Sequence, residues 1–101
     1  MNHLLRYFFI YISIVLLAVP AMAQESSRNL ENMVVMAVER LNAGDADSAE
    51  SMLKAVLEKD DTNDAAWYYL YQVALADQEI DLAEAYLTKA KDLDPDNFWY
   101  R

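Results

Sequence analysis

The chain is predicted to be all-α, with two tandem helix-turn-helix repeats and four helices stacked as an α-solenoid. Seven identities at a spacing of 34 predict it: Leu41/Leu75, Asp47/Asp81, Ala49/Ala83, Glu50/Glu84, Leu53/Leu87, Asp60/Asp94 and Asn63/Asn97. Apolar residues stepping by three and four within each copy give helices rather than strands. Helix-ending residues, Gly44 and Pro95 above all, fall between the apolar stretches. A fixed period of this size means that each unit is one helix pair, which cannot bury its apolar face alone, so the product of the stack is an extended surface.

Residues 1–23 are expected to be a signal peptide. Arg6 and the amino terminus form a short positive region, Tyr7 to Val19 is apolar apart from Ser13, Pro20 breaks the run, and Ala21-Met22-Ala23 has the small-x-small form of a cleavage site. Cleavage after Ala23 would leave Gln24 first. The rival, a retained anchor, needs about 20 apolar residues, and this run is shorter. Residues 24–29 are polar and read as a flexible lead.

Helix one is expected over Asn29 to Asn42, with Leu30, Met33, Val34, Ala37, Val38 and Leu41 on one face. Gly44 ends it through the left-handed geometry glycine tolerates, and Asp45 is placed to cap the next helix. Helix two covers Ala46 to Lys59, with Ala46, Ala49, Met52, Leu53, Val56 and Leu57 inward and Glu50, Lys54 and Glu58 wet at i,i+4 spacing. Asp60 to Asp64 is a polar loop. Helix three, Ala65 to Asp77, is apolar nearly all round, which a helix sustains when it is covered on more than one side or used for binding. Helix four, Leu82 to Leu93, is expected to start with Asp81 as cap and Glu84 as the reciprocal partner. Its inward set is Leu82, Ala83, Tyr86, Leu87, Ala90 and Leu93, and Pro95 forbids continuation.

The second unit, 64–97, resembles a tetratricopeptide repeat, whose pattern is W-x2-L-G-x2-Y, then A-x3-F, then P. Trp67, Leu70, Ala83, Ala90 and Pro95 match, and Leu87 fills the aromatic slot. The first unit, 30–63, matches at Gly44, Ala49 and Leu53, while Met33 and Met36 substitute for Trp and Leu and Asp61 replaces the proline. Tyr71 stands where the family keeps a small residue and Ala74 where it has tyrosine, a large-for-small swap able to conserve core volume. In the first unit those slots hold Ala37 and Arg40, so Arg40 is expected to carry its charge to solvent over an apolar stem.

The resemblance implies a concave groove lined by the first helix of each pair. Residue by residue its wall is Glu31, Val34, Val38, Leu41 and Asn42, then Ala65, Tyr68, Tyr69, Gln72, Leu75 and Ala76; Val34, Val38, Leu41, Tyr68, Tyr69, Gln72 and Leu75 are the candidate partner-binding residues. Tyrosine suits such a wall, being large and rigid with one polar end. The competing reading of the same residues is contact with the next repeat. Val34 and Val38 occupy the slots where some family members carry the groups that clamp carboxylate tails, which argues against that subclass.

Composition excludes several other functions. Beyond Ala23 there are 17 acidic and seven basic residues, a net charge of −10, which repels nucleic acid and anionic membranes. With no cysteine there is neither a disulfide framework nor a lipidated tether, so an exported periplasmic or secreted protein, off the membrane once cleaved, is expected. The sole histidine, His3, leaves with the signal segment, removing histidine triads and zinc sites. Paired carboxylates need a deep cleft that two helix pairs are too small to enclose, so no enzyme and no cofactor is expected. Asp92, Asp94 and Asp96 have the opening spacing of a calcium loop, yet position six is Asn97 rather than glycine. A partner protein or peptide remains, bound by a scaffold; the alternative is a capping or self-associating module without a client groove. The final residues 98–101 begin a third unit and stop, so a longer array, or pairing of two copies through Phe98, Trp99 and Tyr100, is expected to supply the missing burial.

Overall fold

The computed structural model describes residues 26–101; the expected signal segment and cleavage site lie outside them. The chain divides into two compact units, Met1–Leu30 and Glu31–Arg101. Of the first, residues 26–30 are described and are helical, so 26–29 are ordered as helix within the stretch read as a flexible lead. The second unit contains helix α1 over residues 31–42, α2 (Ala46–Lys59), α3 (Asp64–Ala76), α4 (Ile80–Leu93) and a 3-10 turn, Phe98–Tyr100. No strand occurs among the described residues.

The 34-residue register governs the turns as well as the helices. Gly44 adopts φ +85°, and the amides of Gly44 and Asp45 close the end of α1 on the carbonyls of Leu41 and Arg40, at 3.1 and 2.8 Å. Thirty-four residues later Gln78 adopts φ +61°, and the amides of Gln78 and Glu79 close α3 on Leu75 and Ala74, at 3.0 and 2.9 Å. Both ends have the paired backbone bonds of a left-handed helix cap. The next helix then starts two residues on in each copy, at Ala46 and at Ile80.

That register corrects the expected start of α4. Asp81 lies inside the first turn, as Asp47 does in α2, and is not the cap. The capping positions are Asp45 and Glu79. Asp45 accepts a bond from the Ser48 amide at 3.2 Å, and the Ser48 hydroxyl, with this amide adding to it, holds the Asp45 carboxyl below the usual carboxylate range; Glu79, one methylene longer, makes no side-chain cap. Asn63 caps α3 by accepting from the Ala66 amide at 3.0 Å, and Asn97 repeats the device by accepting from the Trp99 amide at 3.0 Å.

Alanines at the contacts let the helices approach closely. Ala37, Ala49, Ala66, Ala83 and Ala90 are buried alongside Leu53, Val56, Leu70, Val73 and Ala74. Helix α3 packs on both α2 and α4: Leu70, Val73 and Ala74 sit between Glu50 of α2 and Leu82 and Tyr86 of α4. This explains why α3 can be apolar nearly all round, since two neighbours cover it. The large-for-small pair resolves with Ala74 buried and Tyr71 half-buried.

Two expected core positions, Leu82 and Leu93, are exposed, and so is Met36, which the family resemblance placed in a consensus slot. Met36 occupies the slot of Leu70, yet it is 46% exposed against 2%. Helix α3 has α2 in front of that face, whereas among the described residues of its unit α1 has no preceding helix there; Glu39 and Arg40 on the same face are exposed too. Leu82 and Leu93 are also exposed, each in an end turn of α4, whose main helical neighbour is α3.

Candidate functional site

The N-terminal half of α3 supplies the centre of the site. Its first turn is fixed by the Asn63 cap, and its residues at three- and four-residue steps, Ala65, Tyr68, Tyr69 and Gln72, share one face. Across from them the start of the third unit folds back. Tyr100 is only 5% exposed, stacks on Tyr68 with ring centres 5.0 Å apart, and donates its hydroxyl to Asp64 Oδ2 at 2.7 Å. Burial pushes the Tyr100 hydroxyl well above the ordinary tyrosine range, and the bond to the Asp64 carboxylate adds to it.

Between α3 and this turn lies an open concavity of about 390 Å³, lined by Ala65, Tyr68, Tyr69, Gln72, Asn97, Trp99 and Tyr100. Tyr68 also meets Tyr69 and Tyr71, at 5.5 and 5.8 Å, so the aromatic wall is continuous. A second, shallower concavity of about 600 Å³ lies between α1 and the α2–α3 loop, with Glu31, Val34 and Val35 on one side and Asp60, Thr62, Asn63 and Asp64 on the other. Ala65 and Tyr69 border both.

Of the candidate residues, Tyr68, Tyr69 and Gln72 come together in the first concavity, and Val34, itself buried, lines the second. Val38 and Leu41 are half-buried and Leu75 is exposed; none of these three lines either concavity, because both lie toward the starts of α1 and α3. Val35, Asp60, Thr62, Asn63, Asp64 and Asn97 were not among the candidates, and Trp99 and Tyr100 were expected at a contact between copies rather than in this wall. The repeat of Asn63 at Asn97 was the available signal for Asn97 and Trp99, since it places the start of a third unit beside α3 as α3 sits beside α1.

Phe98 and Trp99 stand out at the same end, 66% and 69% exposed, with ring centres 4.9 Å apart. Trp67, the residue at the family's tryptophan slot, is half-buried and engaged within its own repeat instead. Its indole donates to the Asp61 carbonyl at 2.8 Å, its ring lies 5.9 Å from Tyr86, and Lys89 sits over it at 5.9 Å.

Among the described residues no group of three or more His, Cys, Asp or Glu side chains is placed to hold a metal ion, the Asp92, Asp94 and Asp96 series included. No helix among them is long and apolar enough to cross a membrane. A comparison with the curated proteins finds no match. The sequence profile of the tetratricopeptide repeat matches residues 40–100, from the end of α1 through the Tyr100 turn. With that match, the all-α architecture and the shared 34-residue register of caps and turns, the chain belongs to the tetratricopeptide repeat family, a non-catalytic repeat type that serves protein–protein interaction.

Proposed function

We propose that the protein is exported, losing residues 1–23, and acts as a scaffold that takes a peptide or helix segment of a partner protein along the tyrosine-lined face of α3. One observation carries the reading: Tyr68, Tyr69 and Gln72 are half-buried on a concave wall rather than sealed under a further helix. Rigid aromatic area of this kind loses little entropy on binding and offers a hydroxyl to orient the guest. Recovery of partners from an exported fraction by the native protein and by a Tyr68→Ala, Tyr69→Ala variant tests it. The variant should lose partners that the native protein holds, and identical recovery overturns the groove. Export is tested by the amino-terminal residue of protein recovered outside the cytoplasm, expected to be Gln24.

A second reading is favoured by the exposed Phe98–Trp99 pair, which suits self-association better than solvent. Sedimentation of the native chain and of Trp99→Ala decides it: a dimer abolished by the substitution supports self-association, and a native monomer at micromolar concentration refutes it.

A further inference from the structure

We infer that the groove selects partners carrying arginine beside apolar side chains, with the guanidinium seated in the second concavity, between Glu31, Asp60 and Asp64, and against the Tyr69 ring. This rests on the groove reading and adds the chemistry of its guest. The second concavity is lined by three carboxylates and no cation. Among the described residues no lysine or arginine borders either concavity; Lys54 pairs instead with Glu50 at 2.7 Å and Lys89 lies over Trp67. The Lys54–Glu50 bridge is the one ion pair among the described residues. Asp60 and Asp64 are half-buried, and each already accepts a neutral donor, the Thr62 amide at 3.0 Å and the Tyr100 hydroxyl. Those bonds fix the carboxylates in place, and neither brings a positive charge to them.

Like charges held together without a counter-ion repel, and a cation entering among them relieves that repulsion while gaining its own attraction. Arginine fits better than lysine because its planar fork can bond to more than one carboxylate and its flat face stacks on an aromatic ring, here Tyr69. Since Tyr69 borders both concavities, a guest with arginine on one side of it places a neighbouring apolar side chain over Tyr68 and Trp99 on the other. An acidic or phosphorylated partner is disfavoured by the same field.

Short fluorescent peptides of alternating leucine and arginine, of leucine and citrulline (the uncharged isostere of arginine), and of leucine and glutamate are titrated by anisotropy against the full chain. The arginine probe should bind about tenfold or more tighter than the citrulline probe at low salt, the gap shrinking as salt rises, and the glutamate probe should not bind. The variant Glu31→Gln, Asp60→Asn, Asp64→Asn should reduce the arginine probe to the citrulline level with its thermal melt kept, because the amide oxygens still accept the Thr62 and Tyr100 bonds. The same charge change at exposed Glu39, Glu58 and Glu84 should leave binding intact, and an equal loss there overturns the inference in favour of diffuse attraction. Equal binding of the arginine and citrulline probes, lost in Tyr69→Ala or Tyr69→Leu, overturns the arginine pocket but leaves the groove standing. Binding of the arginine probe that ignores Tyr68 and Tyr69 substitutions overturns both. Absence of binding by every probe overturns the inference.

Discussion

Gln78 and Gly44 hold the same backbone job with unequal side chains, and exchanging them should change stability in opposite directions. Both lie 34 residues apart in the left-handed region, φ +61° and +85°, and both close a helix with the same pair of amide bonds. A side chain at such a position brings its Cβ against the following carbonyl, at a cost of about 1 kcal/mol or somewhat more, which glycine avoids. Part of that gain is returned because glycine loses more freedom on folding. Gln78→Gly is therefore expected to stabilise by about 0.5–1 kcal/mol. Gly44→Ala should cost about 1 kcal/mol through backbone alone, because a Cβ built there meets no atom within 4 Å. For a domain of this size 1 kcal/mol moves the melting temperature by about 4–8 °C. The two sites share no contact, so the double variant should melt near the native value. Circular dichroism melts of the four proteins measure it. A Gln78→Gly protein that melts at or below the native temperature would refute the claim that residue 78 is strained.

Three further outcomes are expected from the same coordinates. Glu79→Asp gives α4 the side-chain cap that Asp45 gives α2, and should raise stability by about 0.5–1 kcal/mol in the same melts. Leu53→Ala removes a fully buried side chain and should cost about 2–5 kcal/mol, the spread depending on how far Ala49 and its neighbours close the gap. Tyr100→Phe deletes the bond to Asp64 and should cost about 1 kcal/mol. Tyr100 is raised in the folded state, so its share of stability is complete below the unfolded tyrosine pKa and fades as the pH climbs from about 10 toward the folded value. Ultraviolet titration of the native protein should accordingly show a tyrosine that ionises above the ordinary tyrosine range, and Tyr100→Phe should remove that late step.

Where the sequence states its punctuation by residue type, structure follows it closely. Gly44 and Asp45 announce the turn between α1 and α2, and α2 occupies Ala46–Lys59 as those two residues require. Where the same backbone is built from an uninformative residue the local signal fails. Gln78 breaks no helix by identity, so the apolar pattern carried helix three to Asp77 and the acidic pair Asp81 and Glu84 displaced the start of helix four; only the 34-residue spacing from Gly44 encodes the true turn. The exposure of Met36 on α1 has a related cause. A consensus slot describes a residue in mid-array, and among the described residues of its unit Met36 has no preceding helix of the kind that gives Leu70 its cover. The aromatic wall was legible in the α3 stripe, because Tyr68, Tyr69 and Gln72 share a face by helical spacing alone. The acidic rim was not, since Asp60 and Asp64 read locally as loop and cap formers and reach the groove only when α1 packs beside the α2–α3 turn.

Trp99 couples the scaffold and self-association readings. It is exposed enough to anchor a second copy, yet it also lines the first concavity opposite Tyr68 and Gln72. A partner copy that covers Trp99 takes one wall from the groove, and a peptide that fills the groove takes the anchor from the partner copy. If both occur they compete, so mass action gives the apparent peptide affinity a dependence on protein concentration, weaker as the dimer accumulates. Substituting Phe98, which is as exposed as Trp99 but borders neither concavity, separates the two: Phe98→Ala should weaken the dimer and thereby strengthen peptide binding, whereas Trp99→Ala should weaken both. Two independent sites would give a peptide affinity indifferent to protein concentration and to Phe98.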